Sequence, residues 1–524
     1  MFHHLKIQEI FVTLQLKFRI SIINIFFVRL MGENTKCNSD SEYTFKCKPE
    51  PEHVLRRKLD LLLRTGQILV ESSADTSRIK RNMNRAAAFL GLPKEYLHIN
   101  VDYYMLQVNL SDETHSFSKM QRCDRHGINM ESIQGISKLT WRAIGQNYSL
   151  DQYEKELEHI ASAKRNYGDW MVAIGAGFAC GGFCIQFGCD WPAFFYASIA
   201  AILGNRFRMY LNKLGSNNYF NIAVAAFIST ILAWLSHFIS TPEVEAYLPD
   251  FLLPILHSST PWHPMLACAL FIVPGVPLIN FVSDMLDDHI ELGLVRATNT
   301  LLMVVSMSFG IALAIKIFGI DNFVKNLSMI PHHSFGEFAL AAAISAMGFA
   351  TIFNAPKRLM PWIAVGGIIA VCFRNFVNLG PSNGNIGLDA GPIVGTLCGS
   401  ALISIINIKM VHILHTPHQC ITIPAVIPMV PGVLMYRALY ALIDMQGVVG
   451  EVTTATHNAI NGSLLIIMIA VGVDIPNIFA RKWISPKRKR KLDRLIAERK
   501  AHGEFVDLNH VQNDSNLENG KSHS

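Results

Sequence analysis

The sequence contains few charged residues for its length. Only 16% of its 524 residues are charged and 50% are hydrophobic, whereas about a quarter of the residues in a soluble protein are charged. The deficit lies between Asp169 and Pro476, where long apolar runs follow one another. Polar sequence of ordinary composition precedes and follows this block. The distribution therefore excludes a wholly soluble protein and indicates a membrane protein with polar flanking segments.

The sequence offers little support for an enzyme or a metal site. Its ten cysteines form no Cys-x-x-Cys pair, and several lie in apolar runs, where cysteine acts as a small hydrophobic residue. The polar residues of the segment before the apolar block are held in no nucleophile elbow, phosphate loop or His-Glu-x-x-His motif. The basic run Lys487–Lys491 has no interleaved aromatic residues, which argues against nucleic-acid binding. We therefore expect no enzymatic activity, no metal, no cofactor and no nucleic-acid partner.

The first 30 residues lack the features of a membrane span or a signal peptide. The apolar stretch Ile20–Val28 is too short to cross a bilayer, and no small-residue cleavage site follows it. Met31 begins a polar segment that is typical of a disordered start. Our hypothesis is that Met31 is the initiator and that residues 1–50 are a disordered or wrongly assigned N-terminus. A mass-spectrometric peptide that covers Ile7–Lys17 would contradict this hypothesis.

Residues 51–166 have the pattern of a soluble, cytoplasmic α/β domain. Apolar residues recur at helical spacing over residues 55–69, and Asp75 or Thr76 can cap a second helix that Gly91 ends. Strand-like alternation and two more helices follow. These elements are predicted at 98–110 and 113–121 (strands) and at about 130–145 and 150–163 (helices). Polar residues scattered through this region form no catalytic motif and are interpreted as surface residues: His98, Asp102, His115, Ser116, Ser118, Cys123 and His126.

Ten apolar segments follow, and the sequence predicts a transmembrane helix for each of them. Several are shorter than the roughly 20 residues of an ideal spanning helix. The segments are 170–187, 191–204, 219–239, 264–281, 297–318, 335–353, 360–373, 391–408, 421–436 and 458–474.

An even number of spans places both flanking segments on the same side of the membrane. Lys164 and Arg165 precede the first span, and a strongly basic stretch that begins at Arg481 follows the tenth. Basic residues near spans are enriched on the cytoplasmic side. The loop Thr241–Pro264 contains no Lys or Arg and falls on the opposite side. We therefore predict a multi-pass protein of the cell (inner) membrane with cytoplasmic N- and C-termini.

A short motif occurs twice within the membrane block. Residues 273–276, Val-Pro-Gly-Val, recur as residues 430–433, and the same offset pairs Asp287 with Asp444. The copies lie in the fourth and ninth predicted spans, so they point in opposite directions across the bilayer. Such an inverted-topology repeat is common among secondary transporters.

The predicted fold is therefore an α-helical polytopic membrane protein with an N-terminal soluble α/β domain. About ten transmembrane helices form a 5+5 inverted repeat, with membrane half one at 169–320 and membrane half two at 333–477. A cytoplasmic tail at 481–524 is predicted to be basic and then disordered.

Prolines interrupt both copies of the motif. A proline within a helix removes a backbone hydrogen bond, and in hydrocarbon the freed groups must face protein or a wet cavity. Discontinuous helices that line a cavity are therefore predicted. The candidate substrate-binding residues are Pro274, Gly275, Asn280, Asp284, Pro431, Gly432 and Arg437. A position of Asp284 in the headgroup region, where a carboxylate costs little, stays open as the alternative.

Several of these residues resemble the motifs of a known family. The segment 62–66 (Leu-Leu-Arg-Thr-Gly) and the following segment 71–79 resemble the N-terminal signature of the threonine/serine exporter family. The first Pro-Gly break, followed by Asn280 and Asp284, is similar to the family's Pro-Gly-x4-Asn-x3-Asp pattern. The chain from Gly348 to the second break resembles a small partner module, which is a separate polypeptide in some relatives. The resemblance covers roughly residues 52–480, and Ser73 stands where the family more often has glycine.

The resemblance implies export of small hydrophilic metabolites. Some members export threonine and serine, a two-subunit form exports succinate, and coupling to the proton-motive force is expected. The implied partners are a small-molecule substrate and membrane lipid, and a homo-oligomer stays open. In the leading hypothesis Arg437 pairs with a substrate carboxylate, and Asp284 carries a coupling proton or binds the substrate's amino group. The alternative hypothesis is a membrane-anchored receptor or scaffold whose N-terminal domain binds a metabolite.

Overall fold

The structure, a computed structural model, describes residues 50–506 and 511–512 with short gaps. The gaps are residues 112–115, 125, 246, 248, 250–252, 320–332, 382–385, 444–448 and 484–485. The hypothesis on Met31 and the expectations for His115 and Asp444 lie outside the described residues.

Two amphipathic helices begin the N-terminal domain. Helix α1 spans Glu52–Glu71 and buries its leucine-rich face against α2, which spans Thr76–Leu90. The Asp75 carboxylate caps α2 by accepting a hydrogen bond of 2.8 Å from the Arg78 amide. Gly91 ends α2 in a left-handed conformation with φ of 73°. Both helices, the cap and the glycine stop agree with the sequence prediction.

Three antiparallel strands form the sheet of this domain, in the order β1 (Leu97–Val101), β2 (Met105–Ser111) and β3 (Ser116–Arg122). The prediction of one strand over residues 98–110 was wrong. The backbone turns after Val101, where the Asp102 amide donates to the Met105 carbonyl at 2.9 Å. The alternating pattern therefore belongs to two strands joined by a tight turn.

Two further helices complete the domain. Helix α3 spans Met130–Gln146, and the side chain of Asn129 caps it. Helix α4 spans Leu150–Ser162 and begins with a capping box between Ser149 and Gln152. Both helices agree with the sequence prediction to within one residue at each end.

The described part of the membrane block before residue 319 contains four long helices and one interrupted region. The long helices are α5 (Asp169–Gln186), α6 (Trp191–Lys213), α7 (Asn218–His237) and α9 (Ile290–Phe318). The interrupted region consists of a short helix Pro264–Ala267, a 3-10 turn Leu270–Ile272 and α8 (Gly275–Leu286). Short helical turns lie at Phe238–Ser240, Pro242–Glu245 and Leu253–Leu256.

The described residues after 333 repeat this order. The long helices are α10 (Phe335–Ile352), α11 (Met360–Asn378), α12 (Gly391–Leu414) and α15 (Val449–Trp483). A 3-10 turn, Lys357–Leu359, precedes α11. The interrupted region consists of α13 (Gln419–Val426), a 3-10 turn Ile427–Met429 and α14 (Gly432–Ile443).

Seven helices of the described chain are long and apolar enough to cross a membrane. An eighth candidate is the bent pair Gln419–Met429 and Gly432–Leu439, whose parts meet at 58°. This count is below the ten spans that the sequence predicted, and two segments account for the difference. The region Leu270–Leu286 is apolar but short. Helix α6 is long enough but carries Arg206, Arg208 and Lys213 in its last turns.

The helices of the two halves have matching neighbours. In the first half α5 packs on α6, α6 on α7, α7 on α9 and α8 on α9. In the second half α10 packs on α11, α11 on α12, α12 on α15 and α14 on α15. Between the halves α5 packs on α10, α8 on α15 and α9 on α14. When α5, α6, α7, α8 and α9 are matched in order with α10, α11, α12, α14 and α15, every one of these contacts has a counterpart.

A C-terminal helix returns to the N-terminal domain. Helix α16 spans Pro486–Ala501, within the predicted basic tail. Just after it, the Val506 amide donates to the Gly91 carbonyl at 2.8 Å. The two-residue strands Glu50–Pro51 and Val511–Gln512 pair in parallel nearby. The segment just after α16 is therefore packed against the end of α2.

Candidate functional site

Both Pro-Gly motifs interrupt their helices with the same backbone geometry. In the first motif the Val273 amide donates to the Leu270 carbonyl at 3.1 Å, and the Gly275 amide donates to the Val273 carbonyl at 2.8 Å. The equivalent bonds within residues 427–432 measure 2.9 and 2.8 Å. Pro274 has φ of −78° and ψ of 61°, which is an inverse γ-turn. Each helix therefore ends in a 3-10 turn, bends at the proline and restarts at the glycine.

The two breaks pack directly against each other. A methyl group added at Gly275 would lie 2.4 Å from Cδ1 of Ile427, which stands just before the second break. A methyl group at Gly432 would lie 2.7 Å from Leu270 and 2.9 Å from Val273, both at the first break. Each glycine thus leaves space that a side chain of the other motif fills.

The turn between α1 and α2, residues 72–76, lies on the membrane helices, and we name it the docking turn. Asn280 on α8 donates from Nδ2 to the Ser73 carbonyl at 2.8 Å. Arg296 on α9 donates from Nη2 to the Ala74 carbonyl at 3.0 Å. Two consecutive carbonyl groups of the docking turn therefore accept hydrogen bonds from side chains of the membrane block.

Asp284 and Arg296 form a buried ion pair beneath the docking turn. Arg296 Nη1 lies 2.5 Å from Asp284 Oδ2, and the two side chains are 8% and 1% exposed, respectively. The other carboxylate oxygen of Asp284 accepts a hydrogen bond of 3.0 Å from the Thr76 amide. A buried ion pair is stable only when its remaining hydrogen-bonding positions are also filled, and the docking turn fills them here.

Helix α2 also reaches the second half of the membrane block. Arg78 Nε donates to Gln419 Oε1 at 2.9 Å and to Asp75 Oδ2 at 3.1 Å, and all three side chains are buried. At the half-buried edge of this interface, the Ser77 hydroxyl donates to Asp287 Oδ2 at 2.5 Å. The N-terminal domain therefore bridges the two halves next to their helix ends.

A small cavity with both polar and apolar groups in its wall lies beside the docking turn. Its volume is about 30 Å³, which is enough for one or two water molecules and too little for an amino acid. The Tyr103 and His126 rings stack in its wall with centroids 4.2 Å apart. Asn299 donates from Nδ2 to the Tyr103 hydroxyl at 2.8 Å. Nε2 of His126 is buried and has no hydrogen-bond partner within the described part of the chain.

Burial shifts the pKa of two groups in the wall of this cavity, the Tyr103 hydroxyl and the His126 imidazole. Burial raises the pKa of the Tyr103 hydroxyl to about 12. Burial lowers the pKa of His126 from its ordinary value of 6.5, and the positive charge of Arg296 lowers it further. The imidazole is therefore neutral at neutral pH and presents a hydrogen-bonding nitrogen to the cavity.

A second buried carboxylate connects α8 to the other half of the membrane block. The Ser283 hydroxyl donates to Asp474 on α15, and each residue is 5% exposed. Asp474 lies within the apolar span Val452–Ala480. Carboxylates in such segments are costly and usually belong to a functional site.

The candidate residues from the sequence occupy two levels of the structure. The break residues meet at one level: Pro274, Gly275, Pro431 and Gly432. Asn280 and Asp284 extend along α8 towards the docking turn, and Asp284 lies about 13 Å along the helix from Gly275 at 1.5 Å per residue. Arg437 is half-buried on α14, about 7.5 Å along that helix from Gly432. The set therefore forms a path rather than a single point.

Several residues of this path were missed by the sequence analysis: Tyr103, His126, Arg296, Gln419 and Asp474. The interpretation of His126 as a surface residue was wrong, because its Nε2 atom is buried at the domain interface. Arg296 and Asp474 carried a signal, since charged residues within apolar helices usually face the protein interior. The local sequence around Tyr103 and His126 gives no sign of what packs against them.

Two family models match the chain in succession. Residues 60–318 match the family described as "Putative threonine/serine exporter". Residues 338–479 match the family described as "Threonine/Serine exporter, ThrE". The first match contains the docking turn and the first break, and the second match contains the second break.

Curated relatives carry consistent names. The chain is 25% identical over 264 residues to the "Probable succinate transporter subunit YjjP" of Escherichia coli K12, which covers 50% of this chain and 96% of that protein. It is 21% identical over 439 residues to the "Threonine/serine exporter" of Corynebacterium glutamicum, covering 82% and 84%. It is 19% identical over 401 residues to the "Probable threonine/serine exporter" of Mycobacterium tuberculosis H37Rv, covering 74% and 70%.

No solved structure matches the chain. The two family matches lie in one polypeptide and together span both membrane halves and most of the N-terminal domain. The chain belongs to the threonine/serine exporter family and combines both of its modules.

Proposed function

We propose that this protein is a secondary active exporter of small hydrophilic metabolites, either threonine and serine or a dicarboxylate such as succinate. The names of its relatives support this class of substrate. The observation that carries the proposal is the contact between the two breaks, Gly275 against Ile427 and Gly432 against Leu270. Interrupted helices that meet inside the protein place free backbone groups and polar side chains where a substrate can bind. Such transport needs no chemical step, and we propose no enzymatic activity.

The membrane block is, in this proposal, a 5+5 inverted repeat of about ten segments. Its segments are the seven apolar helices, the bent pair, the short region Leu270–Leu286 and α6. The matching helix neighbours and the equivalent hydrogen bonds at both breaks support the repeat. Because the copies are five segments apart, they run in opposite directions, and exchange of conformation between the halves opens the path to each side in turn.

The substrate site lies between the restarted helices α8 and α14. Asn280 and Arg437 each stand five residues beyond the glycine of their own motif, so they are equivalent positions of the repeat. We assign the guanidinium of Arg437 to a substrate carboxylate. The helix N-termini at Gly275 and Gly432 add a partial positive charge, which favours an anionic group.

Asp284 has the role of the proton carrier in this proposal. Its carboxylate is buried, and it faces Arg296 at 2.5 Å and the Thr76 amide at 3.0 Å. Protonation removes the charge that holds Arg296, so the ion pair and the docking turn are released together. This arrangement couples a proton to a conformational change and supports the use of the proton-motive force. The protein then lies in the cell (inner) membrane with both termini in the cytoplasm.

The function is tested by efflux from cells that lack their own exporters. Cells are preloaded with threonine, serine or succinate, and the protein is expected to accelerate the loss of at least one of them. Arg437→Ala is expected to abolish this efflux at unchanged protein abundance. Arg494→Ala, whose side chain is 80% exposed on α16, is the matched control and should export normally.

Two results would count against these assignments. Unchanged retention of all three compounds would exclude the named substrates. Normal efflux through Arg437→Ala would remove Arg437 from the site but leave the exporter assignment in place.

The alternative, a receptor or scaffold that uses the N-terminal domain, has one favourable observation. A groove of about 670 Å³ lies between α3 and α4. Its wall includes Lys138, Arg142 and His159. Tight binding of a metabolite to this groove, abolished by Arg142→Ala in a protein without efflux activity, would favour this alternative.

A further inference from the structure

The docking turn presents two neighbouring oxygen atoms to two donors of the membrane block. The Ser73 carbonyl accepts from Asn280 at 2.8 Å, and the Ala74 carbonyl accepts from Arg296 at 3.0 Å. An amide donor and a guanidinium donor are also groups that bind the oxygens of a carboxylate. The turn thus occupies a site with the chemistry of a carboxylate-binding site.

The position of these donors also suits a substrate that enters from the side of the N-terminal domain. Asn280 lies on α8 between the first break and the docking turn, and Arg296 lies on the adjacent α9. Both residues are buried, at 4% and 7% exposure, so the docking turn closes this end of the path. A metabolite that reaches the breaks from this end must first displace the turn.

We propose that Asn280 and Arg296 bind the carboxylate of the exported metabolite, and that the docking turn occupies them as a gate until the metabolite arrives. This inference rests on the proposed export function. It gives the N-terminal domain a specific role, because the domain supplies the group that the substrate replaces. It also names Arg296 as a determinant of specificity for carboxylates.

The cavity beside the turn provides the rest of this entry site. At about 30 Å³ it is too small for an amino acid or a dicarboxylate while the turn is in place. Its wall has an unfilled hydrogen-bonding position, because Nε2 of His126 is buried without a partner among the described residues. Asn299 and the Tyr103 hydroxyl lie on the same wall. Withdrawal of the turn joins this cavity to the two carboxylate donors.

The conformation of Ser73 shows how the turn can be released. Its φ of 61° places it in the left-handed region, which is unfavourable for a residue with a side chain. Contacts of the docked state therefore hold the turn in a conformation that it would leave on release. A carboxylate that takes over Asn280 and Arg296 removes two of those contacts.

The gate is tested by holding it shut. Ser77 and Asp287 face each other across the edge of the interface, and Ser77→Cys/Asp287→Cys places two thiols there. A short bifunctional methanethiosulfonate reagent is applied to the full-length double variant in proteoliposomes, and a reductant then reverses the link. The two single-cysteine variants and the wild-type protein, treated identically, control for other effects of the reagent.

The expected result is that crosslinking stops export and that reduction restores it. The exported carboxylate is also expected to slow crosslinking, whereas its amide, threonine amide or succinamide, is not. Crosslinked protein that exports at the rate of the untreated double variant would overturn the gate. A crosslinking rate that no carboxylate changes would overturn the carboxylate site.

The outcome for the proposed function is separate. Wild-type vesicles that export neither threonine, serine nor succinate would refute those substrates. In that case the crosslinking rate with each of the three compounds still tests the inference. Slower crosslinking with a carboxylate than with its amide supports the carboxylate site, and equal rates reject it.

A second variant tests Arg296 without removing its charge. Arg296→Lys retains an ion pair with Asp284. It loses the second guanidinium nitrogen, which donates to the Ala74 carbonyl and, in this proposal, to the substrate. Loss of a hydrogen bond between charged groups predicts a KM that rises about tenfold to a hundredfold, with a smaller change in maximal rate. A KM equal to that of the wild-type protein, in a variant that unfolds at the wild-type temperature, would contradict substrate binding by Arg296.

Discussion

Asp284 on α8 and Arg296 on α9 form a buried ion pair, and Arg296 also donates a hydrogen bond to the docking turn. The pair joins three parts of the structure: the helix that follows the first break, the next helix, and the docking turn. Asp284 therefore contacts the docking turn directly and lies on the same helix as Gly275. This relationship connects the proposed proton step with the proposed gate.

The ion pair gives the first prediction. Arg296→Ala leaves the Asp284 carboxylate buried without its partner and is expected to cost about 3–5 kcal/mol of stability. The double variant Asp284→Asn/Arg296→Gln removes both charges and should recover most of this loss. Thermal unfolding of the purified proteins measures both effects. A double variant that is as unstable as Arg296→Ala, or less stable, would contradict a large cost of the unpaired Asp284 charge.

The contact between the breaks gives the second prediction. Gly275→Ala places a methyl group 2.4 Å from Cδ1 of Ile427, and the next atoms of Ile427 lie at 3.5 Å or more. Ile427→Val deletes that terminal methyl and alone should cost about 0.5–1.5 kcal/mol. The double variant should therefore unfold at a higher temperature and export faster than Gly275→Ala. Additive losses in the double-mutant cycle would contradict direct contact.

The cavity gives the third prediction, a dependence of stability on pH. Because burial lowers the pKa of His126 below 6.5, the unfolded chain binds the proton more readily than the folded protein. The contribution of His126 is fully present above pH 6.5 and is lost as the pH falls towards the folded-state pKa. His126→Gln should therefore lose less stability than the wild-type protein between pH 7 and 5. Parallel curves of unfolding temperature against pH would contradict the buried, neutral imidazole.

The C-terminal segment gives the fourth prediction. An alanine at Gly91 would be strained by the φ of 73° and would place its methyl 2.1 Å from the Glu504 carbonyl. Gly91→Ala is therefore expected to free the segment after α16, and trypsin should cleave faster after Arg499 or Lys500. Gly145→Ala is the control, because a methyl group there meets no atom within 4 Å. Unchanged cleavage in Gly91→Ala would contradict the packing of the tail.

The sequence alone predicted the elements of the N-terminal domain well because their signals are local. The helical spacing of the α1 leucines, the Asp75 cap and the Gly91 stop each act within a few residues. The one error, a single strand over residues 98–110, arose because alternation continues through the turn at Asp102. The ten apolar segments each coincide with helical regions, but only long and apolar ones meet the requirement for a span.

The domain interface could not be predicted in this way. Asn280, Asp284 and the segment containing the docking turn were each noticed in the sequence, but they are separated by about 200 residues and no local rule joins them. The contacts use backbone carbonyls of Ser73 and Ala74, which have no sequence signature. Arg296 was detectable as a charge within an apolar helix. Its partners became visible only once the chain was folded.

Transport by the purified protein tests the central claim most directly. Proteoliposomes containing the full-length chain are loaded with labelled threonine, serine or succinate, and release is followed with and without an imposed pH gradient. We predict release of at least one compound, faster with the gradient, and loss of the gradient effect in Asp284→Asn. Release no faster than from protein-free vesicles for all three compounds, under either condition, would contradict an exporter of these metabolites.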